Sequence, residues 1–316
     1  MPLLVLLLAA LVLTACGGEE STTPIEASAD RAEQASEGVD TKPEPEPPPP
    51  LLSDRAVEEL ERFTENAPGE VAIAISPLGE GEGASVGRIG GDRAWSTMKV
   101  PVLVTLLARK RGEGGLGPEQ RSQAAAALQS SDNEAALALF ESLTQIEGGL
   151  EQASAAIDSV LRRSGDGRTT VNTEPSPEGY STFGQTEWPA EQANRFFRAL
   201  AAGCLLPPED TEYVLSLMQG VLANQRWGLG VTPVPNGASV AFKGGWGPEA
   251  DGGYLVRQSG IVFDDEKGGY ALSMITVPDD AGPGSFEAGQ TILSDTARLV
   301  TEKVDLDAKA AVTCER

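Results

Sequence analysis

The chain has 316 residues, 40% of them hydrophobic, a formal net charge of −23 at pH 7 and no histidine. This length suffices for one large domain or two small ones with a substantial core. The negative charge argues against binding to nucleic acid or to anionic lipid headgroups, and the lack of histidine excludes a Ser-His-Asp triad and a histidine-ligated metal site.

The chain begins with an apolar run, residues 3–13, that ends in Leu13-Thr14-Ala15-Cys16. Because a helix needs about 20 residues to span a bilayer, we interpret this shorter run as the apolar region of a secretory signal. Its end resembles a bacterial lipobox, which implies that Cys16 becomes the lipidated first residue of the mature protein. An ordinary signal peptide with an incidental cysteine is the alternative. We therefore expect an exported protein, anchored by lipid to the bacterial cell membrane.

Residues 17–50 contain nine acidic residues against Arg31 and Lys42, no aromatic residue, and a proline-rich end. Such a segment cannot bury enough apolar surface to fold, and a proline-rich stretch is stiff and extended. We expect a disordered acidic linker in residues 17–50, between a signal peptide in residues 1–16 and a folded domain in residues 51–316.

The first part of this domain is predicted to contain a helix and two strands. Ser53 is a suitable N-cap for an amphipathic helix that ends before Gly69. Residues 71–75 and 84–89 have the composition of short strands. From residue 95 to about residue 206 the apolar residues recur mostly at helical spacing.

The segment 165–188 interrupts this helical pattern. It is rich in Gly, Pro, Ser and Thr and long for a structureless loop, which favours a functional loop. A helix is predicted from Pro189 through Leu200, and another over residues 210–222.

The last third of the chain predicts three successive strands and a helix, at 239–242, 253–263, 270–277 and 286–304. The order of elements therefore predicts an α+β fold, an α/β sandwich in which an antiparallel sheet is flanked by the first and last helices and accompanied by an all-helical region.

Beyond Cys16, the only cysteines are Cys204 and Cys314. Outside the cytoplasm a lone pair of cysteines is more often bonded than free. We therefore expect a Cys204–Cys314 disulfide that fastens the C-terminal segment to the domain.

Ser96-Thr97-Met98-Lys99 offers a serine nucleophile with a base other than histidine. On a helix, residues three apart lie on the same face, so we expect Lys99 Nζ within hydrogen-bonding reach of Ser96 Oγ. Burial among apolar neighbours should lower the pKa of Lys99, which would allow its neutral amine to accept the serine proton.

Two further motifs follow. Ser131-Asp132-Asn133 is placed at the start of a predicted helix, where a plain N-cap is the alternative interpretation. Lys243-Gly244-Gly245 follows the predicted strand that ends at Phe242. A second Lys-Gly-Gly begins at Lys267, within a charged hairpin turn, and we interpret that lysine as solvent-exposed.

The three motifs, in this order, resemble the hallmarks of the penicillin-recognising serine hydrolases, class A β-lactamases and low-molecular-weight penicillin-binding proteins: Ser-x-x-Lys, Ser-Asp-Asn and Lys-Thr/Ser-Gly. The resemblance covers roughly residues 51–310. It implies that Ser96 is the nucleophile, Lys99 its base and Ser131 a proton relay to the departing nitrogen. It also implies that Lys243 lies close to Lys99, where its like charge would help to lower the pKa of Lys99.

The remaining implied roles concern binding of the substrate. The backbone N–H groups of Ser96 and Trp246 would form the oxyanion hole. Lys243 would polarise Ser131 and bind a substrate carboxylate, next to Gly244 and Gly245. Asn133 would hydrogen-bond the amide of the substrate side chain. Trp95 and Trp246 flank key motifs and would either line the cleft or pack in the core.

The sequence also departs from the family pattern. Gly244 replaces a hydroxyl residue, which removes one donor to a substrate carboxylate. Class A β-lactamases hydrolyse the acyl-enzyme with a loop glutamate held by an asparagine four residues on. Glu174 is the candidate here, but Glu178 stands where the asparagine is expected, and two close carboxylates raise one pKa. A solvated loop acid is the alternative for Glu174.

Three functions are consistent with these residues. The first is a serine hydrolase, class A β-lactamase-like, that is acylated by β-lactams at Ser96. The second is a D-Ala-D-Ala carboxypeptidase or a slowly deacylating penicillin-binding protein, acting on peptidoglycan stem peptides. The third is a non-catalytic binding lipoprotein of the cell envelope. No metal or organic cofactor is implied, and a monomer is expected.

Overall fold

The computed structural model describes residues 50–235, 237–249, 252–264, 268–280, 282, 284–304 and 314. Cys16, the linker up to residue 49 and Lys267 lie outside the described residues. Among the helices of the described part, none is both long enough and apolar enough to cross a bilayer.

The described residues form the predicted helices and strands in the predicted order. The α-helices are α1 Asp54–Asn66, α2 Lys99–Lys110, α3 Pro118–Gln129, α4 Asn133–Glu147, α5 Leu150–Arg163, α6 Ala190–Ala201, α7 Pro208–Gln219 and α8 Ser285–Lys303. The strands are β1 Gly69–Pro77, β2 Ala84–Arg88, β3 Ser239–Pro248, β4 Tyr254–Asp264 and β5 Gly268–Pro278.

The five strands form one sheet in the order β2-β1-β5-β4-β3. All four neighbouring pairs are antiparallel. Strand β4 therefore lies between β3 and β5, and β3 is at one edge of the sheet. The predicted α+β fold with an antiparallel sheet is confirmed.

The first and last helices cover one face of the sheet. Ser53 caps α1 as predicted, because its Oγ accepts a hydrogen bond from Ala56 N at 3.3 Å. Leu60 of α1 and Leu293 of α8 are fully buried in one apolar cluster with Ile73 of β1. Burying such side chains contributes about 1.5–3 kcal/mol each.

The helical region covers the other face. Phe196 and Phe197 of α6 are fully buried in a second cluster that includes Ala271 of β5. Helix α2 lies within this region and is buried from Lys99 through Leu107. Pro101 is the third residue of α2, where a backbone N–H has no intrahelical partner, so the proline costs no helical hydrogen bond.

Cys204, just after α6, forms a disulfide with Cys314, with a Cα–Cα distance of 5.4 Å. The bond closes a sequence separation of 110 residues. It ties the C-terminal end of the chain to the helical region, as the cysteine count led us to expect.

Two local predictions are wrong. Lys243-Gly244-Gly245 lies inside β3, which continues to Pro248, rather than after the end of a strand. Strand β3 continues through both glycines, and a Cβ atom at either position would meet neighbouring atoms at 2.7–3.0 Å. Ser96 lies in a 3₁₀ turn, Trp95–Met98, rather than on an α-helix, and α2 begins only at Lys99.

Candidate active site

The turn that carries Ser96 is held in an unusual backbone conformation. Trp95 has φ +46°, in the left-handed region. For a bulky residue this conformation costs about 1–3 kcal/mol and persists only where the surroundings enforce it. Thr97 contributes to this enforcement, since its N and Oγ1 both donate to Ala94 O, at 3.1 and 2.5 Å.

Strand β3 packs directly against the Ser96 turn. A Cβ atom placed on Gly245 would lie 3.0 Å from both Ser96 N and Ala94 O. Only glycine therefore fits at this position without moving backbone. The next residue, Trp246, lines the same pocket as Ser96, so the two N–H groups expected in an oxyanion hole belong to adjoining segments.

Lys99 is held by the Ser131-Asp132-Asn133 segment. Its Nζ donates to Ser131 O at 2.6 Å, Asn133 Oδ1 at 2.8 Å and Asp132 O at 3.2 Å, and lies 3.4 Å from Ser131 Oγ. The expected hydrogen bond to Ser96 Oγ is not among these. The acceptors of this segment therefore surround the Lys99 nitrogen on the side away from its own turn of helix.

Lys243 lies on the other side of the same serine. Its Nζ donates to Ser131 Oγ at 2.8 Å and to Gly244 O at 2.7 Å. The side chain is fully buried and does not line the pocket. The structure therefore brings Lys99, Ser131 and Lys243 together, but it gives Lys243 no exposed surface for a substrate carboxylate.

Burial controls the charge of both lysines. Desolvation lowers the pKa of Lys99 to about 7, with the nearby Asp132 carboxylate opposing the shift. Desolvation also lowers the pKa of Lys243 well below its usual value, and the positive charge of Lys99 lowers it further. Near neutral pH, a substantial fraction of Lys99 is thus a neutral amine that can accept a proton.

Ser131 itself has a left-handed backbone, with φ +59°. Its neighbour Asp132 caps α4, accepting from Ala135 N at 2.7 Å. The N-cap interpretation is therefore correct for Asp132, while the Ser131 hydroxyl lies between the two lysines. Strained conformations at both Trp95 and Ser131 are consistent with a functional site, where such strain concentrates.

Packing explains why position 244 holds glycine where the family pattern has a hydroxyl residue. A Cβ atom on Gly244 would lie 2.7 Å from Cζ2 of Trp227, whose buried indole fills that space. A hydroxyl residue at this position would collide with the ring. The sequence offered no signal for this contact, because Trp227 lies in a separate irregular segment.

Arg257 is another residue that the sequence analysis missed. It lies on β4 opposite Gly245, is fully buried, and donates from Nη1 to Asp92 O at 2.7 Å and Arg93 O at 3.0 Å. It therefore ties the segment before the Ser96 turn to β4, the strand next to the edge strand β3. Burial lowers its pKa to about 9, partly offset by the Asp92 carboxylate.

The structure does not bring Glu174 into the site. The residue is exposed and is not part of the pocket lining, although Tyr180 and Ser181 of the same loop are. Asn172 fixes the loop backbone there, donating from Nδ2 to Glu174 O at 2.9 Å. Glu178 is also exposed.

The pocket above Ser96 encloses about 180 Å³. Its described lining residues are Trp95, Ser96, Ser131, Asn133, Tyr180, Ser181, Gly184, Trp246, Gly247, Pro248 and Tyr254. A larger groove of about 1000 Å³ lies beside α1, β1 and β2 and contains none of the motif residues. Within the described residues, no group of three or more potential metal ligands is found.

Comparison with known proteins gives a family and a fold. The model of the Beta-lactamase enzyme family matches residues 121–304, which is more than half of the chain. The match includes Ser131 and Lys243 and begins after the Ser96 turn. No curated protein matches the chain in sequence.

Solved β-lactamase structures share the fold at low sequence identity. The chromosome-encoded β-lactamase of Vibrio parahaemolyticus is 18% identical with a TM-score of 0.60, covering 78% of this chain and 98% of that one. A β-lactamase from Streptosporangium roseum is 17% identical with a TM-score of 0.60, covering 79% and 98%. A class A β-lactamase from Mycobacterium abscessus is 18% identical with a TM-score of 0.59, covering 78% and 98%.

Proposed function

The chain belongs to the β-lactamase enzyme family, and from that premise we propose that it is a serine hydrolase which β-lactams acylate at Ser96 and which releases the acyl group slowly. One observation carries the proposal: two buried lysine nitrogens flank one serine hydroxyl, Ser131 Oγ, beside the pocket that contains Ser96. Such an arrangement serves proton transfer during acylation.

In the proposed acylation, the carbonyl carbon of the lactam gains a bond to Ser96 Oγ and loses its bond to nitrogen. Neutral Lys99 takes the proton of Ser96 while Ser96 Oγ forms a bond to the lactam carbonyl carbon. The developing oxyanion is stabilised by backbone N–H groups at the junction of the Ser96 turn and β3. The carbon–nitrogen bond then breaks, Ser131 gives its proton to the departing nitrogen, and Lys99 reprotonates Ser131. The net change is one proton moved from Ser96 to the lactam nitrogen.

Slow release follows from the position of Glu174. Hydrolysis of the acyl ester needs a base that activates water within hydrogen-bonding reach of the carbonyl carbon. The carboxylate of Glu174 is exposed outside the pocket lining, so it does not supply this base. Acylation and deacylation are therefore unequally supported, which favours a persistent acyl-enzyme.

The test is intact-mass spectrometry of the protein during exposure to benzylpenicillin, with a chromogenic cephalosporin to follow turnover. We expect an adduct of one penicillin that persists for minutes and is lost in Ser96→Ala. Ser142→Ala, at a half-buried position of α4 outside the pocket lining, serves as the matched control and should retain the adduct. Rapid turnover with no accumulated adduct would contradict slow release.

A D-Ala-D-Ala carboxypeptidase shares this acylation machinery and is the second candidate, favoured by the same exposed Glu174. Release of D-alanine from a stem-peptide analogue, measured with the wild type and Ser96→Ala, separates it from a β-lactam hydrolase. If neither the peptide nor any β-lactam reacts at Ser96, the chain is a non-catalytic member of the family.

A further inference from the structure

Arg257 is a fully buried cation on β4 that belongs to none of the three motifs. It lies directly opposite Gly245 of β3, and residues opposite each other on neighbouring strands direct their side chains to the same face of the sheet. The Ser96 turn packs on that face, since a Cβ atom on Gly245 would lie 3.0 Å from Ser96 N. The guanidinium of Arg257 is therefore buried on the side of the sheet that carries the nucleophile.

The guanidinium holds the backbone that leads into this turn. Its Nη1 donates to Asp92 O at 2.7 Å and to Arg93 O at 3.0 Å. Its Cζ lies 5.6 Å from the ring centroid of Trp188, and Trp188 N also donates to Asp92 O, at 2.9 Å. Residues 92 and 93 are thus fixed from β4 and from the end of the loop 165–188 at the same time.

The backbone directly after these two residues is strained. Trp95 has φ +46°, a conformation that persists only where the surroundings enforce it. We propose that Arg257 is a positioning residue for acylation: by fixing residues 92 and 93 it keeps the N–H groups of Ser96 and Trp246 directed at the developing oxyanion. This inference rests on the proposed acylation at Ser96 and adds a residue to it.

Stability alone does not account for a guanidinium at this place. Among the described residues, Nε and Nη2 of Arg257 have no hydrogen-bond acceptor. Burying a cation with part of its donors unpaired costs free energy, and an apolar side chain of similar volume is often at least as stable. The advantage of the guanidinium is directional, because one rigid planar group holds two carbonyls. A shift of about 1 Å in groups that act on the substrate lowers rates about 10²-fold.

The experiment compares Arg257→Met and Arg257→Lys with the wild type. Methionine fills the space without a donor, whereas lysine keeps a charged donor but not the planar fork. Acylation by benzylpenicillin, followed over a range of concentrations, gives the acylation rate constant and the dissociation constant of the non-covalent complex separately. We expect the rate constant to fall about 30- to 100-fold with methionine and about 3- to 10-fold with lysine. The dissociation constant should change less than about 2-fold, because Arg257 does not line the pocket.

Phenylboronic acid provides a second measurement that a loss of stability would not change. Ser96 Oγ forms a bond to boron, the serine proton passes to Lys99, and the tetrahedral boronate carries the negative charge. This adduct imitates the transition state, so its affinity depends on the same oxyanion geometry as the rate. Its dissociation constant, measured by calorimetry, should rise from wild type to Arg257→Lys to Arg257→Met by factors similar to the loss of acylation rate.

Arg198→Met is the matched control. Arg198 of α6 also donates to two backbone carbonyls, Pro77 O at 2.9 Å and Gly79 O at 3.0 Å, but it lies outside the pocket lining. Per folded molecule, this variant should keep the wild-type acylation rate and boronate affinity even where its unfolding midpoint in urea falls. Circular dichroism and urea unfolding give the folded fraction of each variant.

The outcomes separate the inference from the proposed function. If neither benzylpenicillin nor phenylboronic acid reacts with the wild type at Ser96, the proposed function itself is wrong. If the wild type reacts and Arg257→Met acylates as fast as Arg198→Met, Arg257 is not a positioning residue. The same conclusion follows if boronate affinity stays constant while acylation slows, or if penicillin binding weakens as much as the rate.

The lysine variant decides the question where Arg257→Met does not fold. Wild-type acylation and boronate affinity in Arg257→Lys would then overturn the inference, because a flexible donor would serve as well as the planar one. If both variants fail to fold, Arg257 acts in folding rather than in positioning, and the inference is equally wrong.

Discussion

The candidate site has two parts built in opposite ways. The lysine side consists of the buried Lys99 and Lys243 and the half-buried Ser131, and the polar atoms of these residues are bonded to one another at 2.6–3.4 Å. The loop side, residues 165–188, contributes Tyr180 and Ser181 to the lining but leaves Glu174 exposed. In the proposed mechanism the first part takes the proton of Ser96. The second part has no carboxylate in the pocket to activate water.

The difference has a physical origin. A buried polar group must find partners, so the lysine side is constrained to one arrangement by its own desolvation. An exposed carboxylate is already hydrated, and nothing forces it toward Ser96. Asn172 orders the loop backbone through Glu174 O, which leaves the carboxylate itself unconstrained. In the proposed mechanism, acylation therefore uses groups held in the core, whereas deacylation would depend on a surface loop.

The largest expected effect on acylation comes from replacing Lys99, the proposed base. Lys99→Met keeps an apolar side chain of similar length but removes the only amine that neighbours both Ser96 in sequence and Ser131 in space. We expect the rate of Ser96 acylation by benzylpenicillin to fall about 10²- to 10⁴-fold, the usual contribution of general-base catalysis. Stopped-flow or mass-resolved acylation kinetics provide the measurement.

Lys110→Met, at the other end of α2, is the control for this variant and should acylate at the wild-type rate. If Lys99→Met acylates as fast as Lys110→Met, the lysine side is a structural network and the base lies elsewhere.

The variant Gly244→Ser tests whether the strand beside the lysine side has room for a hydroxyl residue. Gly244→Ser places an atom within 2.7 Å of the Trp227 ring, and such overpacking costs about 1–3 kcal/mol. We expect the free energy of unfolding in urea to fall by this amount. Trp227→Phe in the same chain should recover part of the loss, because it removes the colliding ring atoms.

Gly112→Ser is the matched control, since no atom lies within 4 Å of a Cβ at Gly112. Equal stability of Gly244→Ser and Gly112→Ser would show that the Trp227 contact is not what excludes a hydroxyl residue.

The pH dependence of the acylation rate tests whether Lys99, on the lysine side, is the base. Burial lowers the pKa of Lys99 to about 7, and only the neutral amine accepts the serine proton. The acylation rate of the free enzyme should therefore rise about 10-fold from pH 6 to pH 8 and level off above, since the neutral fraction grows as pH increases through the pKa. A rate that is flat or falls over this range contradicts Lys99 as the base.

The smallest effect is expected on the loop side. Glu174→Gln removes the charge but not the shape of a side chain that is exposed outside the pocket. The half-life of the penicilloyl adduct, followed by intact-mass spectrometry, should change less than about 2-fold, as for an ordinary surface substitution. Glu178→Gln should likewise change the half-life of the adduct less than about 2-fold. A lifetime at least about 10-fold longer in Glu174→Gln alone would mean that this carboxylate reaches the ester.

Much of the fold was predictable because its signals are local. The Ser53 cap, the apolar periodicity of α2 and the composition of the final three strands depend on neighbours within a few residues. The boundaries were less accurate at β3, where the glycines of Lys243-Gly244-Gly245 resembled the end of a strand. The close approach of Trp227 and of the Ser96 turn, which is what requires glycine there, is not visible in a local pattern.

The sequence by itself determined which chemical groups are present: a serine and a lysine three residues apart, two later motifs in a fixed order, and no imidazole. Only the tertiary structure decided how they meet. Lys99 bonds to Ser131, Asp132 and Asn133, more than 30 residues further along the chain, rather than to Ser96. Glu174 lies outside the pocket. The reason is that hydrogen-bond partners and burial are set by packing between distant elements, whereas spacing along the chain constrains only one turn of helix.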